Sequence, residues 1–362
     1  MKKSLKLVWV AFIAMATFSC SSDNNNPIVI PPNNTITGIA SRNANLSILV
    51  QALTRADLAD TLTGSGSFTV FAPTNEAFQT FLGAGVSVND VPVATLKEIL
   101  LNHVISGALT SSQLSTGYVK TLAKGTASST NTLSMYVNTT SGVKLNGVSN
   151  VTTANIAASN GVIHVVDAVI GLPTIVTHAT ANANFSSLVG ALTSAGQPDF
   201  VTILSGTGPF TVFAPTNDAF TSLNAELAPG GIESVSVSNL TKVLQYHVVS
   251  GNILAESLTE GQVVNTLQTP QTFTIQLAGG AKIKDVNNRP SNIIATNVQC
   301  SNGVIHVLDK VLLPTFYFLF FNKKKEDAIG ILFFYSSSNR CNCVFSRMGK
   351  SPLIFIKITR YF

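Results

Sequence analysis

The sequence predicts an α+β protein made of two tandem domains, each a β-sheet core with packed helices, and three observations predict it. The chain repeats itself with a period of about 142 residues. Ser67-Phe-Thr-Val-Phe-Ala-Pro-Thr-Asn-Glu-Ala-Phe78 returns as Pro209-Phe-Thr-Val-Phe-Ala-Pro-Thr-Asn-Asp-Ala-Phe220, and Asn160-Gly-Val-Ile-His-Val-Val-Asp167 returns as Asn302-Gly-Val-Ile-His-Val-Leu-Asp309. Between them, in the same order, Asn102-His103-Val-Ile-Ser-Gly107 is echoed by Tyr246-His247-Val-Val-Ser-Gly251. Each repeat mixes β-branched and aromatic runs with an apolar stripe of helical spacing. At about 140 residues, each is also long enough to bury a core of its own.

In chain order, residues 1–19 read as a signal peptide: Lys2, Lys3 and Lys6 precede an apolar run from Leu7 to Phe18 that is short for a membrane span. Cys20 follows at once, and residues 20–34 are a polar, Pro-containing linker. This looks like a bacterial lipoprotein leader, in which Cys20 is the lipidation site and signal peptidase II cuts before it. The segment Thr17-Phe18-Ser19 departs from that pattern by lacking the usual Leu three residues before the cysteine. An ordinary secretory signal with an incidental cysteine is the alternative.

Residues 35–173 form the first domain. Phe68-Thr-Val-Phe71 predicts a strand, Pro73 ends its ladder, and Thr74 or Asn75 can cap a helix whose first turn carries Glu76. Helix capping accounts for these polar residues without a polar site. A second helix places Leu96, Ile99, Leu100 and His103 on one face, with Gly107 as its stop. Gly161-Val-Ile-His-Val-Val-Asp167 is apolar on both faces, as a central covered strand should be, which puts His164 in the interior. Residues 174–315 form the second domain with the same elements: Asp218 in the first turn, Leu240, Val243, Leu244 and His247 on the helix face, Gly251 after it, and His306 in the strand.

These segments resemble the fasciclin (FAS1) family, whose hallmarks are the TVFAPTN-type strand into helix and the GVIHVxD-type strand, with a Tyr-His pair between. The likeness runs from about residue 35 to 315. It implies a sandwich or wedge of β-sheet with helices and a surface binding role, not an enzyme. The Tyr-His segment has been proposed as a partner-contacting motif in animal members, so the resemblance makes Tyr246 and His247 candidate partner-binding residues, with His103 their counterpart; the first repeat has Asn102 in place of the tyrosine. A buried, hydrogen-bonded structural histidine is the competing reading for all of them.

Composition narrows the function classes. Residues 21–314 hold 11 basic and 15 acidic side chains, so the whole-chain pI near 9.0 belongs to the two ends. The domains offer no basic patch, and no nucleic-acid partner is expected. Cys300 is the single cysteine inside the domains, so no intradomain disulfide is expected. No cofactor or metal is expected either. The histidines of each repeat lie about 60 residues apart with no i, i+4 pair and no thiolates, and His178 stands between the repeats without a counterpart. No nucleophile elbow, His-Glu-x-x-His pair, P-loop or dinucleotide fingerprint occurs. Catalysis is therefore not expected.

Loops differ between the repeats: 126–132 is rich in Ser, Thr and Asn, whereas 228–236 contains Pro-Gly-Gly. Either can suit contact with protein or carbohydrate, or be plain solvated surface. The expected role is a cell-surface adhesion or matrix-attachment lipoprotein of a Gram-negative bacterium. It would be held to the outer membrane by its lipid, on the cell-surface or periplasmic face, and bind an extracellular protein or polysaccharide. The alternative is a carbohydrate-binding accessory of a polysaccharide-uptake system.

Residues 316–362 form an atypical tail with aromatic runs and eight Lys or Arg against Glu326 and Asp327. Glu326-Asp-Ala328 and Gly330-Ile-Leu332 can be encoded by an inverted repeat flanked by A-rich and T-rich codons, the form of a translated transcription terminator. The tail is thus read as read-through past a stop near Thr315, with a genuine sorting tail as the rival. Disorder or an aggregation liability is expected there.

Overall fold

The computed structural model describes residues 34–62 and 66–315, together with the backbone of four short strands beyond them. The leader, Cys20 and most of the linker lie outside the described residues.

The first repeat runs α1 (Ile36–Ser41), α2 (Ser47–Arg55), β1 (Phe68–Pro73), α3 (Asn75–Leu82), α4 (Val93–Leu101), β2 (Val104–Ser106), β3 (Gly117–Lys120), β4 (Ser134–Asn138), β5 (Lys144–Leu145), β6 (Ser149–Ala158) and β7 (Gly161–Val166). The second runs α5 (Ile175–Ala181), α6 (Ser186–Leu192), α7 (Phe200–Ser205), β8 (Phe210–Pro215), α8 (Asn217–Glu226), α9 (Val237–Tyr246), β9 (Val248–Ser250), β10 (Val263–Asn265), β11 (Thr272–Gln276), β12 (Lys282–Lys284), β13 (Pro290–Cys300) and β14 (Gly303–Leu308).

Each repeat builds one seven-stranded ladder with the same topology, β2-β1-β7-β6-β5-β4-β3 in the first and β9-β8-β14-β13-β12-β11-β10 in the second. The two hallmark strands lie side by side and parallel, Phe68 opposite Gly161 and Phe210 opposite Gly303. Helices cover one face, where residues such as Leu49, Leu53, Phe78 and Leu100 bury Val70, Ala72 and Ile163. On the other face Phe71 and Ile105 meet Met135, Val137 and Leu145, so the two halves of the ladder curl toward each other around a second core. That is the predicted wedge. β7 is buried along all six residues, as its two-sided apolar pattern requires.

Glycine opens this strand for a steric reason. Gly161 has φ of 153°, and a Cβ there would sit 1.9 Å from the Phe68 carbonyl oxygen; Gly303 repeats this with φ of 155° and 2.0 Å to that of Phe210. Gly107 and Gly251, expected to stop the preceding helices, do not do so. α4 ends at Leu101 and α9 at Tyr246, a short strand intervenes in each case, and the glycines turn the chain after that strand with φ of 91° and 97°. The helix ends are instead organised by histidines, described below.

Beyond the repeats, β15 (Phe318–Phe321), β16 (Gly330–Ser336), β17 (Arg340–Ser346) and β18 (Ile354–Ile356) pair in that order as an antiparallel sheet. At these residues the backbone is extended and paired, consistent with the β-forming aromatic and β-branched runs of the sequence. Among the described residues no helix is long and apolar enough to cross a membrane.

Candidate functional site

The helix-end histidines act as clamps. His103 Nδ1–H donates to the Ile99 carbonyl at 2.7 Å, and its Nε2 accepts from the Ile170 amide at 2.9 Å. His247 repeats both bonds with Val243 at 2.7 Å and Leu312 at 2.9 Å. Each ring therefore ties the last helical turn to the segment leaving the central strand, and both nitrogens of the neutral imidazole are used. Burial penalises the charged ring and lowers the pKa to about 4 in each, outweighing the opposite effect of the Ile99 and Val243 carbonyls.

Tyr246 is fully buried, donates to the Thr272 carbonyl at 2.7 Å and accepts from the Val286 amide at 3.2 Å. With His103 and His247 only 2% and 3% exposed, direct partner contact by these three side chains does not fit their position. The physical reason is that a chain-crossing imidazole or phenol must be shielded from water to hold its backbone partners. In the first repeat Asn102 replaces the tyrosine and donates to the Gly171 carbonyl at 3.0 Å.

The remaining signature residues are likewise turned inward. Thr74 and Thr216 cap α3 and α8 by accepting from the Ala77 and Ala219 amides at 3.2 and 3.3 Å. Asn75, read as an alternative cap, and its counterpart Asn217 instead reach across to hold α2 and α6: their Oδ1 accepts from the Ile48 and Ser187 amides, at 2.9 Å in both cases. Asn160 and Asn302 accept from the Ile36 and Ile175 amides at 2.9 and 3.0 Å, anchoring the first helix of each repeat. Asp167 and Asp309 accept from the Asn150 and Asn292 amides, at 2.7 Å in both cases. In the strand, His164 Nε2–H donates to the Leu109 carbonyl at 3.0 Å while Nδ1 accepts from Asn155, a bulge residue with φ of 63°. His306 keeps the first bond, to Ile253 at 2.9 Å. Among the described residues no cluster of three or more His, Cys, Asp or Glu is placed to hold a metal.

A polar site that the sequence reading did not assemble lies where the repeats meet. Lys120 Nζ on β3 donates to Ser134 Oγ at 3.1 Å and, across the junction, to the Asn297 carbonyl at 2.8 Å. Ser134 Oγ accepts from the Gln299 amide at 3.0 Å, and the Ser301 carbonyl accepts from Thr126 Oγ1 at 3.1 Å. Tyr118 packs against the second core, accepts from Asn182 Nδ2 at 3.2 Å, and meets the His178 ring edge-on with centroids 5.3 Å apart. His178 is wholly buried. Its ring nitrogens face the backbone of Ser134 and Gln299 without closing a hydrogen bond of good geometry. Burial lowers its pKa to about 3, pulls Lys120 down, and pushes the Cys300 thiol up. The 126–132 loop, which the sequence leaves open between partner contact and plain solvated surface, spends Thr126 on the junction, whereas 228–236 stays largely exposed.

With fold and geometry in view, residues 44–173 and 183–314 each match the Fasciclin domain family, together more than half of the chain. The chain is 43% identical over 143 residues to protein sll1483 of Synechocystis sp., spanning 39% of this chain and 73% of that protein. It is 32% identical over 270 residues to human periostin, spanning 71% of this chain but 29% of periostin. A solved FAS1 domain pair from the insect cell adhesion molecule fasciclin I covers 75% of this chain and 98% of that one, at 20% identity and a TM-score of 0.48. The chain belongs to the fasciclin domain family, as two tandem members in one polypeptide.

Proposed function

We propose that this protein is a non-enzymatic adhesion module, tethered to the outer membrane through a lipid on Cys20 and presenting two fasciclin domains to an extracellular protein. The observation that carries this reading is the fate of the signature side chains. In both repeats Thr, Asn, His and Asp of the hallmark segments are consumed by internal hydrogen bonds, which leaves recognition to exposed strand edges and loops. Family membership and the likeness to periostin support adhesion over catalysis. The junction of Lys120, Ser134 and Gln299 supports presentation of the two outer surfaces at a set spacing, and a multivalent ligand that matched the spacing would gain avidity.

The anchor is tested by metabolic labelling with radiolabelled palmitate: label is expected on the protein and absent from Cys20→Ser, and equal labelling of both would overturn the lipid tether. Adhesion is tested by binding the purified protein to matrix and bacterial surface proteins with free polysaccharide as competitor. Saturable binding that survives competition supports the proposal; binding abolished by sugar would transfer the role to a carbohydrate-binding accessory.

A further inference from the structure

The helices of the second repeat leave an apolar cavity of about 40 Å³ above the sheet, lined by α5, α6 and α7 together with Val212, Ala214 and Ile305. Its origin is visible in the sequence. In the first repeat, α2 and the segment after it fill this layer with Ala52, Leu53, Ala56, Leu58 and Leu62, all 3% exposed or less. The second repeat has Gly190 in α6, then a Gly196-Gln-Pro-Asp199 turn, and only then α7. Ala191 and Leu192 are left only partly buried. One continuous packing layer has become two short helices with space between them, whereas protein interiors are ordinarily filled.

The lining chemistry selects the occupant. The one polar ring at the wall, His247, has both nitrogens committed to Val243 and Leu312, and the wall is otherwise aliphatic and aromatic apart from Thr180 and Thr193. Those two residues and Val201 are exposed and form the rim. Water inside would lack the two to four polar partners it needs, so the space favours carbon. Room for about three heavy atoms excludes an aromatic ring and fits the end of a flexible chain. At the rim, the Thr180 and Thr193 hydroxyls donate back to the Val176 and Val189 carbonyls, each at 2.9 Å, and keep lone pairs facing solvent for a polar end group.

We infer that the second domain binds the terminal methylenes of an unbranched alkyl chain, inserted end-on between α6 and α7 with its polar group left at the Thr180 and Thr193 rim. The full-length protein, methyl-labelled at Ile, Leu and Val, is titrated with n-alkanols from ethanol to hexanol and followed by NMR. Saturable shifts are expected at Leu188, Val201, Val212 and Ile305. Affinity should rise about four-fold with each added methylene until the cavity is filled and level off thereafter. Ala179→Leu, which fills the space from α5, should abolish the shifts; should it fail to fold, Val189→Phe blocks the rim instead. Absence of saturable shifts, no dependence on chain length, or shifts that persist in a folded, filled variant would each overturn the inference.

Discussion

Acid should destabilise this protein through its buried imidazoles. His103 and His247 are lowered to about 4 and His178 to about 3, whereas in the unfolded chain each returns to about 6.5. A base with a depressed folded pKa adds stability that is complete above 6.5 and is lost as pH falls from there toward the folded value. At pH 5.5 the unfolded chain carries almost a full extra proton on each ring, and RT ln 11 makes this about 1.4 kcal/mol per histidine. Three rings give about 4 kcal/mol, about 1.4 kcal/mol of it in the first repeat and about 3 kcal/mol in the second, against the 5–15 kcal/mol typical of a domain. His164 and His306 are shifted the same way by burial and add to the loss. Asp285, raised by burial, acts with the opposite sign. Denaturant unfolding followed by circular dichroism at pH 7.5 and 5.5 measures the difference directly. Stability unchanged between the two, or ring titrations near 6.5 in the folded protein by NMR, would refute the assignment of these histidines as buried neutral rings.

Three further outcomes follow from the same geometry. His247→Ala strands the Val243 carbonyl and the Leu312 amide in the interior and should cost about 2–4 kcal/mol in the second repeat, measured as a lowered denaturation midpoint, with a similar effect of His103→Ala on the first. Gly161→Ala forces a Cβ into the Phe68 carbonyl at a backbone angle only glycine adopts easily; about 4 kcal/mol or more, or failure to fold, is expected, against about 1–2 kcal/mol for Gly142→Ser, where φ is 85° but the added side chain meets nothing. Lys120→Ala removes the cross-junction bond to Asn297, so calorimetry should show the melting of the two repeats separating while each keeps its own secondary structure.

The parts of the fold that repeat were legible because they obey local rules. Phe68-Thr-Val-Phe71 could only be a strand, Thr74 had the chemistry of a cap, and the two-sided apolar GVIHV segment announced a central strand. The use of Asn75 was not legible, since its partner amide on Ile48 is 27 residues away. Gly107 was misread for a related reason: the helix ends where an imidazole takes over the Ile99 carbonyl, a tertiary event with no local signature. The junction was hidden most deeply, yet a signal existed. Buried His178 and the junction-spanning Lys120 have no counterparts in the other repeat, and a difference between duplicated domains marks where one copy faces the other.

The signature residues build the domains, and on the proposed function recognition belongs to their exterior. The most direct test measures binding of the parent protein and of the Tyr246→Phe/His247→Gln double variant to the same immobilised extracellular protein, with the folded fraction of each fixed by circular dichroism. Equal affinity per folded molecule is the expected result. A folded variant that has lost its binding would contradict it and return Tyr246 and His247 to the partner-facing role their burial denies.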